Sequence, residues 1–488
     1  METTSPILAR AVVEAVNLPV SVEAAIVVFS HAAEPVVLES SRCNNLYGRF
    51  SIMASDPVEV VSLVGEGSLT PESGDTLMAL AAAIGKYPGL AERSTCSEVG
   101  EIPFAGGWIG FLSYEAGLSM EGISPHADGG TALPLARFGL YDSAAVYDHQ
   151  KEQWYLTALD WPAPLAEQRP PVSHRLAVLR EELQAAARLE MDETSPPHTT
   201  GPVPNMSRAA YVAKVLRAKK YIEAGDAYQI NLTQRFTART TATPLELYRR
   251  LRTESPSSHA ALLMWGDTAI ISSSPELFLD LRDGHAVTRP IKGTRPRTGD
   301  RRIDAIARRE LETSEKERAE LTMIVDLLRN DLGRVCAFGT MRVSEPGEVE
   351  EHPNLFHRVA TIEGDLRPGM GWLDLLRAAF PGGSVTGAPK IRAMQIIREL
   401  EPTPREVYCG SIGWIGLDGA MSLNLAIRTM VQRGDEVQLY AGGGIVAEST
   451  ADAEYAETVI KLRGMLRALN AKSPCESTQP VREAVHTT

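Results

Sequence analysis

The chain has 488 residues, of which 44% are hydrophobic and 23% are charged. These values are ordinary for globular proteins and exclude a mostly disordered chain. The length allows roughly two to four domains, or fewer if the fold is a large one. The formal net charge is -13, from 49 basic and 62 acidic residues. Since a global anion binds nucleic acid and anionic membranes poorly, any anionic ligand needs a local basic patch.

The five cysteines are scattered and are never spaced as C-x-x-C. This argues against a disulfide framework or a cysteine-based zinc site. The N-terminus shows no charged-then-apolar signal pattern, and no apolar run has the length of a membrane span. We therefore expect a cytoplasmic protein. The cysteines are Cys43, Cys96, Cys336, Cys409 and Cys475.

The first part of the chain predicts mixed strands and helices. The short β-branched runs Ala24–Phe29 and Val58–Val64 predict strands. Phe104–Tyr114 is apolar with close glycines, which indicates strands with tight backbone approach, and Val172–Leu189 predicts a helix. Asp192–Pro204 concentrates Pro, Thr, Ser and Gly, so it is either a linker or a long surface loop inside one domain.

The rest of the chain predicts an α+β fold with hairpin-like strands rather than regular βαβ alternation. Ser207 is expected to cap a helix that stops at Gly225. We therefore expect an N-terminal region over residues 1–200, a second domain over 201–470 and a disordered polar tail over 471–488. Strands are predicted at Ala227–Phe236, Ala260–Ser272, Leu277–Leu281, Ser411–Ile415, Leu423–Val431 and Val437–Ala441, and helices at Thr313–Leu328, Thr386–Leu400 and Thr450–Leu469.

Two E-x-x-E motifs lie on predicted helices. They contain Glu317 and Glu320, then Glu454 and Glu457, and the spacing puts each pair on one helix face. Four half-buried carboxylates repel one another unless a cation neutralises them, and oxygen ligands of this kind favour Mg²⁺. The alternative is two solvated helices with surface ion pairs, which the residues alone favour because Glu is a common helix former.

Three further features could bind an anion. The run Gly442, Gly443 and Gly444 follows a predicted strand, so its backbone N–H groups could form an anion nest, or it is a plain tight turn. Thr386 is expected to cap a helix whose free N–H groups could hold a carboxylate. Arg428 lies within a predicted strand, where it is either a carboxylate clamp or a paired structural arginine.

A basic stretch, Arg289–Arg302, holds six basic residues against one acid. Its prolines and glycine predict a structured loop that suits an anionic small molecule, and the alternative for its outer arginines is pairing with acidic neighbours. Glu276 comes shortly before this stretch, where it could act as a general acid or base or be an ordinary strand-edge residue.

Taken together, these segments resemble the chorismate-utilising enzymes, a family that includes anthranilate, aminodeoxychorismate, isochorismate and salicylate synthases. The resemblance is strong from Ser207 to Leu469 and weaker before it. It implies two large antiparallel sheets packed face to face and flanked by helices, with the N- and C-terminal parts interlaced, and it makes 201–470 the chorismate-binding domain. The matching motifs are AGDAYQINLTQRF, SSPELFL, PIKGTRPR, EKERAELTMIVDLLRNDLGRV, FPGGSVTGAPKIRAM, YCGSIGW and AGGGIVAESTADAEYAET, with VLESSRCNNLYGRFSI and PFAGGWIGFLSYE in the N-terminal part.

The resemblance implies a role for each matching residue. Glu320 and Glu457 would bind Mg²⁺ directly, and Glu317 and Glu454 would act nearby through water. Glu276 would be the general acid for the departing 4-hydroxyl, and His357 would lie near the reacting ring. The chorismate carboxylate that Mg²⁺ leaves free would be bound by Arg428, Lys461, Tyr408 and the N–H groups of Gly442–Gly444.

Two positions distinguish the members of the family. Water-using members have a lysine base where this chain has Gln229, so the chain resembles an ammonia user. Anthranilate synthases usually read P-I-A-G-T, whereas this chain has Lys292, which is typical of aminodeoxychorismate synthases. A desolvated lysine can be a nucleophile. The resemblance therefore implies attack by Lys292 on C2 of chorismate and amination at C4, although a purely electrostatic role for Lys292 stays open.

The chain has no recognisable glutaminase motif, so the resemblance implies ammonia from a separate glutamine amidotransferase subunit. Glu39, Ser40 and Arg49 resemble the tryptophan pocket of the family and are candidates for an effector site. The rival hypotheses are an anthranilate synthase, an enzyme that makes 2-amino-2-deoxyisochorismate, and an inactive regulatory subunit that binds an aromatic amino acid.

Overall fold

The computed structural model describes residues 8–41, 48–64, 76–87, 89–90, 102–124, 133–192, 195–351 and 355–473. The tail predicted over 471–488 lies almost entirely outside these residues. Among the described residues, none of the helices combines the length and the apolar character needed to cross a membrane.

The larger of two antiparallel sheets has 12 strands among the described residues. Its order is β1-β8-β7-β3-β2-β11-β12-β21-β22-β10-β18, with β9 also paired to β10. The strands are β1 (Arg10–Val16), β2 (Val36–Glu39), β3 (Phe50–Ala54), β7 (Ser143–Asp148), β8 (Gln153–Asp160), β9 (Val203–Pro204), β10 (Gln229–Arg239), β11 (His259–Trp265), β12 (Thr268–Ser274), β18 (Gly387–Ala388), β21 (Thr429–Arg433) and β22 (Glu436–Ile445).

The second sheet has 10 described strands in the order β15-β17-β14-β13-β20-β19-β5-β6-β4, and β16 also pairs with β17. These strands are β4 (Glu59–Leu63), β5 (Gly107–Leu112), β6 (Ala136–Tyr141), β13 (Leu277–Arg282), β14 (His285–Arg289), β15 (Ile291–Pro296), β16 (Arg342–Glu351), β17 (Leu355–Asp365), β19 (Ser411–Gly416) and β20 (Met421–Leu425).

Helices flank both sheets. Those that match the sequence pattern include the helix capped by Ser207, whose hydroxyl accepts from the backbone N–H of Ala210. The described helices are α1 (Val22–Phe29), α2 (Thr76–Ile84), α3 (Tyr114–Met120), α4 (Leu165–Gln168), α5 (Val172–Ala187), α6 (Arg208–Glu223), α7 (Pro244–Glu254), α8 (Arg301–Thr313), α9 (Glu315–Gly333), α10 (Trp372–Ala379), α11 (Lys390–Leu400) and α12 (Ala451–Ala468).

The two sheets pack face to face, as the resemblance implied. On β2, Val36 belongs to a buried cluster that contains Trp414 of the second sheet, whereas Val37 belongs to a cluster with helices α1, α5, α7 and α12. Successive side chains of a strand point to opposite faces, so the larger sheet buries both of its faces. The α+β sandwich flanked by helices is therefore confirmed.

The N- and C-terminal parts contribute strands to both sheets. In the larger sheet β2 pairs with β11, and in the second sheet β5 pairs with β19. The segment between the two parts also joins the fold, because β9 pairs with β10 and His198 donates its backbone N–H to Thr241. The site described below is therefore built on a framework that both parts share.

Several predicted elements differ from the structure. The run Ala24–Phe29 is not a strand, because it lies in α1, where Ser21 caps the helix and the apolar face packs on α5. The predicted strand Ala260–Ser272 is a hairpin of β11 and β12. The stretch Arg289–Arg302 is not a loop, since it includes β15 and the start of α8.

Candidate active site

Lys292 lies on β15, at a point where the pairing of β15 with β17 shifts register. The next residue, Gly293, has a φ of +81° and leaves space for no side chain, because a Cβ atom there would lie 2.7 Å from Oε2 of Glu317. Burial lowers the pKa of Lys292, and Lys461 lowers it further, against the raising effect of Glu320 and other nearby carboxylates. The irregular strand thus places a lysine of weakened basicity among acidic side chains.

Glu276 lies between β12 and β13 and is buried. Burial raises the pKa of its carboxyl group to about 7, against the opposing effects of Lys292 and Arg428. The hydroxyl of Ser384 donates a hydrogen bond of 2.8 Å to Oε1 of Glu276. A carboxyl group with this pKa can hold a proton near neutral pH and release it, as a general acid must.

His357 lies on β17, which pairs with both β15 and β16. It is buried, and its Nδ1 lies 2.9 Å from Oγ1 of Thr294 on β15. The neighbouring Arg358 donates to the carbonyl oxygen of Leu311 at the end of α8. The structure therefore brings His357 to the strand that carries Lys292, and gives Arg358 a structural contact.

Glu317 and Glu320 lie in the first turns of α9. Glu317 accepts a hydrogen bond of 2.9 Å from Arg295, and the glycine beside Lys292 lets its other oxygen approach β15. Glu320 is partly exposed and lies 3.8 Å from Nζ of Lys316. Glu317 therefore approaches the strand of Lys292, and Glu320 is close enough to raise the pKa of Lys292.

Glu454 and Glu457 lie in α12, next to β22. Glu454 is buried, and burial and the charge of Glu457 raise its pKa, although Ser449 donates a hydrogen bond of 2.6 Å to it. For Glu457, burial opposes ionisation, but Lys461 at 2.7 Å contributes to a lowered pKa. A Cβ atom at Gly443 would lie 3.0 Å from Oε2 of Glu454, so the glycine leaves room for this carboxyl group beside β22.

These four glutamates offer only oxygen ligands, and crowding of Glu454 and Glu457 is the situation that a cation relieves. Within the described ranges, however, no three His, Cys, Asp or Glu side chains are already close enough to form a metal cluster. Lys316 and Lys461 form the ion pairs of Glu320 and Glu457. The chemistry of the donor set fits Mg²⁺, and binding would require the carboxylates to approach one another.

The glycine run is not a turn after a strand. Gly442, Gly443 and Gly444 lie inside β22 and pair with Thr233, Leu232 and Asn231 of β10. The prediction of a nest was wrong, because β22 continues as a regular strand through the glycines. The carbonyl oxygen of Gly442 accepts from Nζ of Lys461 at 2.9 Å, so this strand edge faces α12.

Two other predicted positions also need correction. Arg428 lies in the connection between β20 and β21, with a φ of +51°, rather than within one strand. Thr386 does not cap a helix, since α11 begins at Lys390 after Pro389, and the Thr386 hydroxyl donates to the carbonyl oxygen of Gly382 at 3.1 Å. Tyr408 is buried, and its ring stacks on Tyr440 with 5.2 Å between centroids.

Comparisons with known proteins agree with this arrangement. Residues 48–467 match the family model described as chorismate binding enzyme. The chain belongs to this family. It is 38% identical to aminodeoxychorismate synthase component 1 of Klebsiella aerogenes over 93% of this chain and 99% of that protein. It is 39% identical to anthranilate synthase component 1 of Streptomyces coelicolor over 89% of this chain and 83% of that protein.

A solved structure supports the fold of this chorismate-binding enzyme. Anthranilate synthase component I from Streptococcus pneumoniae TIGR4 superposes with a TM-score of 0.71 and 33% identity. The match covers 87% of this chain and 93% of that chain. The membership therefore rests on sequence and on three-dimensional structure.

The position that distinguishes water users from ammonia users in the expected family is Gln229, at the start of β10. Its side chain is buried, and neither amide atom has a hydrogen-bond partner among the described residues. The amide lies against Gly444, where a Cβ atom would be 2.7 Å from Nε2. A neutral amide at this place is not a general base, in contrast to lysine.

Two of the candidate effector residues, Glu39 and Arg49, line a cavity of about 400 Å³ between the sheets, together with Trp414 and Asn424. Glu39 is buried and accepts hydrogen bonds of 2.6 Å from Tyr248 and 2.7 Å from Arg252. Ser40 is also buried at this edge, and its backbone N–H donates to Ser51 at 3.2 Å. A cavity therefore lies beside the N-terminal motif, and its use as an effector site stays a prediction.

Arg49, the third candidate effector residue, forms two hydrogen bonds with Asp148, at 2.9 and 2.6 Å. Because its planar fork binds both carboxylate oxygens, this pair fixes β3 against the end of β7. Glu39 and Arg49, the charged candidates in the cavity wall, thus both form hydrogen bonds with other side chains of the protein.

The basic stretch pairs mostly with acids rather than with a common anion. Arg289 contacts Glu345 and Glu350, and Arg297 contacts Glu351. The alternative of structural pairing for its outer arginines is therefore confirmed for these two.

Two residues of the site were missed by sequence reasoning. Ser384 bonds Glu276, and Arg405 holds the turn that contains Ser384. Ser384 stands inside the FPGGSVTGAPK motif, so its place in a matching segment was a usable signal. The sequence around Arg405 gave no such signal, since a lone arginine that follows two nearby prolines resembles a surface residue.

Proposed function

We propose that this chain is an aminodeoxychorismate synthase component I, which converts chorismate and ammonia to 4-amino-4-deoxychorismate. The observation that carries the proposal is Lys292, a half-buried amine whose pKa burial lowers and which interacts with Glu276, the candidate acid. Because burial destabilises the ammonium form, this lysine loses its proton more readily than an exposed one, and the neutral amine is a nucleophile. The 38% identity to the Klebsiella aerogenes component supports the same reaction.

In the proposed mechanism, the neutral amine of Lys292 forms a bond to C2 of chorismate while the ring double bonds shift. The C4–O bond breaks as Glu276 gives its proton to the departing hydroxyl, which leaves as water. Ammonia then bonds to C4, the double bonds shift back and the bond between Lys292 and C2 breaks. The proton that the ammonium product loses restores Glu276, so both residues return to their starting states.

Mg²⁺ would be held directly by Glu320 and Glu457, with Glu317 and Glu454 acting through water. The ion supplies positive charge that a chorismate carboxylate can bind. The second carboxylate would contact Arg428, Lys461 and Tyr408, the edge of β22 at Gly442–Gly444, and Thr386. His357 would orient the reacting ring from β17. The half-buried guanidinium of Arg428 suits a carboxylate because its geometry allows two parallel hydrogen bonds.

Ammonia would come from a separate glutamine amidotransferase subunit, which makes the working enzyme a heterodimer. Gln229 favours ammonia over water, since its neutral amide neither activates water as a base nor protonates ammonia. The cavity at Glu39, Ser40 and Arg49 would hold an aromatic amino acid such as tryptophan, because Trp414 and an arginine line it. The scattered cysteines, of which Cys336 and Cys409 are buried and free, favour the cytoplasm.

The second candidate is an anthranilate synthase component I, which the 39% identity to the Streptomyces coelicolor protein favours. The two enzymes differ in the carbon that receives the amine and in the release of pyruvate. Lys292 decides between them in our proposal, because a temporary bond at C2 directs ammonia to C4.

A product assay tests the proposal. Purified protein is incubated with chorismate, Mg²⁺ and ammonium salt, and the products are separated by mass and fluorescence. We expect aminodeoxychorismate without pyruvate, and a loss of about 10³-fold or more in kcat for Lys292→Ala, since a nucleophile has been removed. Lys86→Ala is the matched control, because Lys86 is exposed and its ion pair with Glu59 is long, at 3.9 Å. Its loss should leave the reaction unchanged.

Three outcomes can be told apart. Fluorescent anthranilate with pyruvate from the wild type supports the second candidate and contradicts a directing role of Lys292. Aminodeoxychorismate formed at an undiminished rate by Lys292→Ala leaves the activity standing but assigns the lysine no covalent role. Chorismate binding without turnover favours an inactive regulatory subunit.

A further inference from the structure

Ser384 lies in the short turn Gly383–Val385 and is buried against Glu276. We propose that Ser384 is a positioning residue that aims the Glu276 carboxyl group at the substrate, and that Arg405 fixes the turn that carries Ser384. This inference rests on the proposed role of Glu276 as the general acid. It adds a set of contacts between distant segments of the chain that holds the acid in place.

The direction of the hydrogen bond supports this assignment. The Ser384 hydroxyl donates 2.8 Å to Oε1 of Glu276, so the acidic proton is kept on Oε2. When Oε2 gives up its proton, the same hydrogen bond gains a charged acceptor and becomes stronger. An interaction that strengthens as the proton leaves stabilises the transition state more than the ground state.

Arg405 connects the Ser384 turn to β10. Its guanidinium donates 2.8 Å to the carbonyl oxygen of Val385 and 2.7 Å to that of Asn231. It also forms two hydrogen bonds with Glu401, at 2.8 and 2.7 Å, so its charge is balanced in the interior. Because Val385 follows Ser384 directly, loss of these contacts would free the turn that presents the hydroxyl.

The N-terminal part of the chain supports Arg405. The carboxylate of Glu115 in α3 accepts the backbone N–H of Arg405 at 2.8 Å, and the ring of Tyr114 lies under the guanidinium at 4.6 Å. A planar guanidinium over an aromatic ring is held by electrostatic attraction. The path from Tyr114 through Arg405 and Val385 to Ser384 therefore joins both parts of the chain to the proton donor.

Other groups also act on Glu276, and the test must keep them unchanged. Lys292 of β15 and Arg428 of the β20–β21 connection are the charged groups that lower the pKa of Glu276, and the backbone N–H of Ile291 adds a hydrogen bond. Ser384→Ala removes the hydroxyl and leaves these three in place. Ser384→Thr keeps the hydroxyl and is the matched conservative variant.

The experiment measures kcat and KM for chorismate against pH, with ammonium salt as the amine source. For Ser384→Ala we expect kcat to fall about tenfold, and the alkaline limb of the kcat profile to move up by about one pH unit, because one donor to the carboxylate is lost. We expect KM to change less than about twofold, since uniform substrate binding is kept. Ser384→Thr should restore both the rate and the position of the limb.

Arg405→Lys tests the second half of the proposal. If Arg405 acts through Ser384, the double variant Arg405→Lys with Ser384→Ala should be hardly slower than the slower single variant, because coupled residues are not additive. Additive losses in kcat would show that Arg405 does not act through Ser384. An unchanged pH profile for Ser384→Ala would overturn the proposal even if Arg405→Lys failed to fold.

Failure of the inference is distinguishable from failure of the proposed function. The identity of the wild-type product tests the function, whereas the change between wild type and Ser384→Ala tests the role of the serine. Loss of the 4-hydroxyl is common to aminodeoxychorismate and anthranilate formation, so the pH comparison can be made on whichever product forms.

Discussion

The candidate active site and the cavity between the sheets both contain buried charged side chains, but they hold those charges differently. In the cavity wall, Glu39 accepts hydrogen bonds from two side chains, and Arg49 donates hydrogen bonds to both carboxylate oxygens of Asp148. In the active site, burial raises the pKa of Glu276 to about 7 and lowers that of Lys292. In one region the charges are paired with partner side chains, and in the other burial shifts the pKa values of the charged groups.

The difference distinguishes charged groups that stabilise the fold from charged groups that can take part in a reaction. A carboxylate with a bidentate arginine partner remains ionised and ties two segments together. A carboxyl group whose pKa is shifted by burial can give up and regain a proton during a reaction, and such groups concentrate at functional sites. The comparison therefore predicts large kinetic effects from one region and mainly stability effects from the other.

The largest effect expected in the candidate active site comes from Glu276→Gln. The variant keeps the shape of the side chain but has no acidic proton, so we expect kcat to fall by about 10²–10⁴-fold, the usual worth of a general acid. Steady-state measurement of aminodeoxychorismate formation checks the loss. Chorismate affinity, measured by fluorescence titration, should change little.

Glu182→Gln is the matched control for this variant. Burial alone raises the pKa of Glu182 on α5 to about 7, so the two carboxyl groups resemble each other in acidity but not in place. Its removal should leave kcat within about twofold of the wild type. An equal loss in both variants would show that a raised pKa in this protein does not mark the catalytic acid.

The sequence predicts the parts of this site that lie in local patterns. The E-x-x-E pairs share helix faces as expected, and the cap at Ser207 begins α6. Local pattern was insufficient for α1, because an entirely apolar run has no helical period, and packing on α5 decides its structure. A continuous strand through the glycines of β22 was missed for a similar reason, since pairing with β10 overrides the turn tendency of glycine.

Contacts between distant segments could not be predicted from one sequence. Ser384 and Glu276 are 108 residues apart, and Arg405 reaches Asn231 across 174 residues. Neither pair follows a helix or strand period, so only the folded chain brings them together. The family motifs located the candidate catalytic residues, whereas the contacts of Ser384 and Arg405 with distant segments required the structure.

The next largest effect is expected in the pH dependence of the reaction. Glu276 must be protonated to act as an acid, so the rate should fall above about pH 7, by about tenfold per pH unit at the steepest. Lys292 must be neutral to attack, so the rate should also fall as the pH drops below its lowered pKa. The result is a bell-shaped profile whose limbs belong to the coupled pair.

The profile is measured as kcat/KM for chorismate, at a constant concentration of free ammonia, because ammonium ion is not a nucleophile. In Glu276→Gln the residual activity should lack the alkaline limb. A profile that stays flat through neutral pH in the wild type would contradict the assignment of Glu276.

The smallest kinetic effect is expected from Asp148→Asn, which removes the partner of Arg49 in the cavity wall. For Asp148, burial opposes ionisation, but the hydrogen bonds from Arg49 and from two backbone N–H groups lower the pKa below its ordinary value. The variant loses the bidentate ion pair, so we expect the free energy of unfolding at neutral pH to fall by about 2 kcal/mol, while kcat changes less than twofold. Denaturant titration and the product assay check the two halves of this statement.

The sign of the pH effect gives a stricter version of this test. A carboxylate whose pKa is lowered by folding stabilises the protein above its unfolded pKa, and that contribution is lost as the pH falls through the folded pKa. The wild type should therefore lose its advantage over Asp148→Asn on acidification. Asp435→Asn is the control, because its ion pair with Arg239 is exposed and should contribute nothing measurable. A large fall in kcat for Asp148→Asn, with stability unchanged, would mean that the Arg49–Asp148 pair takes part in catalysis. It would contradict the inference that paired charges stabilise the fold while charges with shifted pKa values act in the reaction.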